Sequence, residues 1–177
     1  MRGKLICAVL LIFAGASAAG RAMDATPQPA PSADRAYALI GLWNCVSNVG
    51  FAGTRSFGRD SSGAINMRYN FRLPSGDSTV VIEAYRFSAS QGRWTATAGD
   101  SDYFGPMQVD GPVWNGDEWT FEGWQDRHAR DETTVRDKVR VIYSGLETNA
   151  FARKQQVLVE GVWRTYFDES CKRSGTR

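Results

Sequence analysis

Ala64-Ile65-Asn66-Met67-Arg68-Tyr69-Asn70-Phe71-Arg72-Leu73 alternates without a break. Ile65, Met67, Tyr69, Phe71 and Leu73 point one way; Asn66, Arg68, Asn70 and Arg72 point the other. A period of two puts the apolar set on one face of an extended chain, so this is a half-buried antiparallel strand. Pro74-Ser75-Gly76-Asp77 follows as a turn. Ser78–Phe87 is the next strand, apolar on both faces near Val80, Val81 and Ile82. Gln91-Gly92 leads into Arg93–Ala98, with Trp94, Ala96 and Ala98 on one face. Trp114-Asn115-Gly116-Asp117 is a hairpin signal, because Asn and Gly both accept the positive φ of a type I′ turn. Glu118–Gln125 continues it, with Trp119 and Phe121 on one face. Thr134–Tyr143 sets Val135, Val139, Val141 and Tyr143 against Arg136, Lys138, Arg140 and Ile142. Asn149–Val157 and Val162–Phe167 form a last hairpin around Glu160-Gly161.

Eight to ten short strands result, with no helical period beyond one turn at Asp34–Ile40, capped by Ser32 or Asp34. Such a chain closes into a barrel or stacks as a sandwich, since long open edges invite aggregation. Sequential hairpins favour an all-β fold with a single antiparallel up-and-down barrel. The 177 residues, 42% hydrophobic and 23% charged, suit one globular domain, and no internal repeat is present.

The N-terminus reads as an export signal over residues 1–18. Arg2 and Lys4 precede the apolar run Leu5–Phe13, which is too short to span a bilayer, and Ala16-Ser17-Ala18 suits cleavage. Residues 19–35, rich in Ala and Pro, read as a disordered linker, leaving a barrel domain at 36–173. Removal of Arg2 and Lys4 leaves 19 basic and 19 acidic residues. A neutral chain of this kind favours neither nucleic acid nor anionic lipid, and no stable membrane insertion is expected. The expected location is the periplasm or the exterior. Cys7 leaves with the signal, so Cys45 and Cys171 remain as a pair in an oxidising compartment, where they are expected to form a disulfide.

Leu39-Ile40-Gly41-Leu42-Trp43, at the start of the first strand, resembles the G-x-W signature of lipocalin-like (calycin) barrels. The wider pattern is similar to a bacterial family of uncharacterised exported calycin-like domains, which close on a G-x-W-x-x-x-[YF] strand. Here that element is Gly161-Val162-Trp163-Arg164-Thr165-Tyr166-Phe167. The resemblance implies that Gly41 and Trp43 close the barrel floor and that a basic residue of the last strand covers the indole. Arg164 is the first choice for that cover and Arg173 the second. Haem barrels that share the G-x-W start carry an axial His near the C-terminus, and this chain has none there. No haem or other cofactor is expected.

Candidate chemistry is sparse. The sole His128 lies among Asp126, Asp131 and Glu132 in a predicted loop, Gln125–Glu132, which offers one imidazole where zinc needs three or four ligands. No metal site is expected, and no nucleophile motif surrounds a Ser. Aromatic residues make up 12% of the chain. The inward faces of a small barrel are filled either by side chains or by a ligand. Met67, Tyr69, Phe71, Glu83, Tyr85, Phe87, Trp119, Phe121 and Arg153 are the candidate lining, with Glu83 and Arg153 as polar anchors. The expected function is non-enzymatic binding of a small apolar or amphipathic molecule. A protein-interaction or inhibitor-type barrel of the cell envelope is the alternative, with exposed Trp114, Trp124 and Phe104 as its sign. A hydrolase or isomerase using a pocket carboxylate is the third.

Overall fold

The computed structural model describes residues 33–99, 105–112, 114, 118–128, 133–146 and 149–175. The signal, nearly all of the linker, Phe104 and the tip of the Asn-Gly hairpin lie outside them. A 3-10 turn, Ala33–Leu39, leads into ten strands: β1 Gly41–Ser47, β2 Ala52–Arg59, β3 Ile65–Arg72, β4 Ser78–Ser88, β5 Arg93–Ala98, β6 Met107–Pro112, β7 Glu118–His128, β8 Thr134–Ser144, β9 Ala150–Val159 and β10 Val162–Arg173. Each pairs antiparallel with its sequence neighbours, and β1 pairs with β10 to close the barrel. The predicted strands fall where the alternation puts them. Three run further by two residues or more: β9 reaches Val159, and β7 extends through His128, which pairs with Thr134, so half of the predicted Gln125–Glu132 loop is strand. β10 continues past Phe167 to Arg173, after a bulge between Thr165 and Phe167.

The meander gives the barrel two ends. One carries the starts of β1, β3, β5, β7 and β9 and is sealed; the other is the mouth. Trp43, Trp94, Trp114 and Trp119 are all buried at the sealed end. Trp114 stacks on Trp119 with ring centroids 5.2 Å apart, so it is a core residue and not the exposed loop residue expected. Trp43 is the floor: its Nε1 donates to Leu39 O at 2.7 Å and its ring meets the edge of Phe151.

The cover over Trp43 is Arg173, not Arg164. The Arg173 guanidinium sits 4.1 Å from the Trp43 ring centroid and donates to the carbonyls of Ile40 and Ala38. The reason is direction. β10 runs from the mouth to the sealed end, so its final residue pairs with Trp43, whereas Arg164 lies exposed near the mouth. Gly41 has φ +134, and a Cβ there would stand 2.5 Å from Arg173 Nη1. The glycine makes room for the guanidinium that covers the indole.

The β2–β3 turn is built around Asp60. Its carboxylate accepts from Ser62 Oγ at 2.6 Å, from Asn66 Nδ2, and from the backbone N–H groups of Ser62 and Ala64. The hydroxyl of Ser62 and the amide of Asn66 hold its pKa at about 2. The folded value is depressed, so this contribution is present above the ordinary carboxylate value near ~4 and is lost as pH falls through about 2. An NMR titration of the Asp60 carboxyl carbon should show that low midpoint; a midpoint at the ordinary value would refute it.

Candidate functional site

Inward positions of the strands carry the expected lining, but these side chains touch each other. Met67, Tyr69 and Phe71 of β3, Glu83 and Tyr85 of β4, Trp119 and Phe121 of β7 and Arg153 of β9 are all buried. Phe87 is the exception: it is 37% exposed at the sealed end and rests on Trp94. Above the aromatic floor lies a layer of buried charge. Arg153 Nη2 donates to Glu83 Oε1 at 2.9 Å, its Nε to Tyr143 OH at 3.2 Å and its Nη1 to Gln155 Oε1. Tyr85 OH donates to the other Glu83 oxygen and meets Tyr143 OH. Arg55 of β2 lies 2.6 Å from Glu169 Oε1 and over the face of Tyr69.

Two cations and two anions thus cancel inside the barrel. Burial is the largest single influence on Arg153 and lowers its pKa, but Glu83, Tyr143, Tyr85 and Glu169 together outweigh it and the guanidinium is held charged; Glu169, Glu83 and Tyr143 together do the same for Arg55. Burial raises the pKa of Tyr85 and Tyr143, keeping both hydroxyls neutral and able to donate. Among these side chains the free space is about 20 Å³, room for one water. Tyr69, Glu83 and Arg153 line that space, which is too small for an organic ligand.

Open space lies instead at the mouth. Pairing of β8 with β9 ends at Val139↔Val157. Yet β7 and β8 stay paired up to His128↔Thr134, and β9 and β10 up to Val159↔Val162. Two ribbons therefore run on beyond their last shared bond. A cleft of about 450 Å³ separates them, walled by Val139, Val157, Val159 and Tyr166. Its floor is polar: Gln125 Oε1 accepts from Gln155 Nε2 at 2.8 Å and from Tyr166 OH at 2.9 Å. Burial raises the Tyr166 pKa, so that hydroxyl is a neutral donor. At the rim Arg127 Nε donates to Asp137 Oδ2 at 2.8 Å.

Sequence reasoning missed Arg55, Glu169, Gln125, Gln155 and Tyr166. A signal existed for two of them: Gln125 shares parity with Trp119 and Phe121, and Glu169 with Cys171. Cys45 and Cys171 are disulfide-bonded, as expected. Among the described residues, Cys45, Glu169 and Cys171 form a group tight enough for a metal ion. It is not a metal site, because both sulfurs are consumed in the disulfide and Glu169 is paired with Arg55.

No helix among the described residues is long and apolar enough to cross a membrane. Comparison of the sequence with models of known protein families and with curated proteins returned no match. The closed ten-strand antiparallel barrel is consistent with a lipocalin-like fold.

Proposed function

We propose that the protein is a non-enzymatic binding barrel for a small apolar or amphipathic molecule, and that the ligand sits in the mouth cleft. The observation that carries this reading is the cleft itself, a valine-walled space of about 450 Å³ over a hydrogen-bonded Gln125–Tyr166 floor. Binding sites commonly combine apolar walls with a few fixed polar groups. An alkyl or aryl group would lie against Val157 and Val159, and a hydroxyl or amide would face Gln125. Catalysis by Glu83 or Glu169 is not part of the proposal, because both carboxylates are ion-paired in the sealed interior. Export to the periplasm or beyond belongs to the same reading and is supported by the disulfide. So does kinship with exported bacterial calycin-like domains, supported by the Gly41, Trp43 and Arg173 floor.

Dodecanol, lauric acid and 1-naphthol are suitable probes, read by calorimetry and thermal shift. At least one should bind saturably, and Val159→Glu should weaken it roughly tenfold by placing a charge on the wall. Val159 is partly exposed, so the variant should melt with the wild type. If none of the three binds by about 1 mM, or if Val159→Glu binds as well as the wild type, the cleft is not the site.

A further inference from the structure

The outer face of β6, β7 and β8 carries a second site of different chemistry. Its groove, about 740 Å³, runs over the wall from Thr97 and Pro106 to Lys138. Strand register sets its contents in rows. Gln108 is opposite Trp124, and Trp124 is opposite Lys138. One step toward the mouth, Asp126 faces Arg136; one step toward the floor, Asp110 faces Glu122 and Glu122 faces Arg140. Trp124 stands at the centre of this grid. It is 51% exposed, while Trp43, Trp94, Trp114 and Trp119 are buried and Trp163 lies beneath Arg140. Among the described residues no ring or guanidinium stacks on Trp124.

Gly123 lies in the groove lining, where β7 comes close to β6. A Cβ on Gly123 would stand 2.1 Å from Gln108 O, so only glycine lets β7 approach β6 this closely. The polar groups around the indole are already oriented. Asp126 holds Arg136 through two bonds at 2.7 and 3.0 Å, and Asp110 accepts from Thr95 Oγ1 at 2.6 Å.

The chemistry selects a ligand class. Asp110, Glu122 and Asp126 stand with Arg136 and Lys138 along the groove, so a polyanion gains nothing there. A purely apolar ligand would cover one ring and desolvate charges all round it. A pyranose offers an apolar C–H face for an indole and a rim of hydroxyls that both donate and accept. Neighbouring strands stand about 4.8 Å apart and successive outward residues about 6.8 Å apart, the span of a sugar ring with its equatorial hydroxyls. We infer that this groove binds a neutral oligosaccharide, with Trp124 as the stacking platform and Gln108, Lys138 and Glu122 as hydroxyl partners. The site lies on the outside of the wall and shares only Asp126 with the mouth cleft.

Chitotetraose, cellotetraose and maltotetraose are the probes, with a heparin tetrasaccharide as the charged comparison, each titrated by calorimetry and by tryptophan emission. The expected result is saturable binding of at least one neutral tetrasaccharide with a shift in emission. Trp124→Ala should weaken it at least roughly tenfold without changing the melting temperature. Lys138→Ala should weaken it less, and Val159→Glu should leave it unchanged. Absence of binding to all three neutral sugars overturns the inference. So does full affinity in Trp124→Ala, or tighter binding of the heparin fragment.

Discussion

Replacing Arg153 with methionine is expected to lower the unfolding free energy by about 3–5 kcal/mol. The side chain is 2% exposed and is the partner of Glu83 across the barrel. Methionine fills similar volume, so the loss is not chiefly a cavity. It is the cost of leaving the Glu83 carboxylate in the interior without its cation, with Gln155 losing a donor and Tyr143 a hydrogen bond. The double variant Arg153→Met/Glu83→Leu removes both charges and should recover much of the stability, because a buried ion pair is worth little against apolar groups of similar size. Urea unfolding of wild type, both single variants and the double variant forms the cycle that measures this. A single-variant loss below about 1 kcal/mol, or additive losses in the double variant, would count against the ion layer described above.

The second large effect belongs to the disulfide. Cys45 and Cys171 face each other in the β1–β10 register, 126 residues apart in sequence. A crosslink over so long a loop restricts the unfolded chain by roughly 4–5 kcal/mol in the chain-entropy account. Cys45→Ala/Cys171→Ala should therefore melt roughly 10–15 °C below the wild type. Both cysteines are about 1% exposed, so a mild reductant should reach them only after unfolding. Calorimetric scans of the double variant beside the wild type test this, and a fall of less than about 3 °C would contradict it.

Much of the wall was legible because one face of each strand is wet. Ala64–Leu73 and Arg93–Ala98 show it: alternating burial follows alternating chemistry. β2 hid itself. Its inward positions include Arg55, and Gly53 stands where a Cβ would be 2.1 Å from Asn70 O, so neither looks like a core residue in a linear reading. The end of β10 was missed for the same reason, since Glu169 is the inward residue there. A rule that reads charge as outward fails wherever charges cancel in pairs inside. The mouth cleft was illegible for a different reason. It arises where β8 and β9 stop pairing, and register is a relation between strands that no single strand's pattern states. Adjacency to Trp163 favours Arg164 over Arg173 in a linear reading; antiparallel pairing of β10 with β1 reverses that choice.

The order of the strands also dictates the order of assembly. Nine of the ten neighbour pairings join consecutive strands, and one, β1 with β10, joins the two ends of the sheet. Local hairpins close quickly, while a contact spanning the whole domain must wait until the chain between has collapsed. Cys45 and Cys171 meet only in that last seam. Formation of their bond is therefore a clock for the final event of folding: an oxidised molecule is one whose two ends have already found each other.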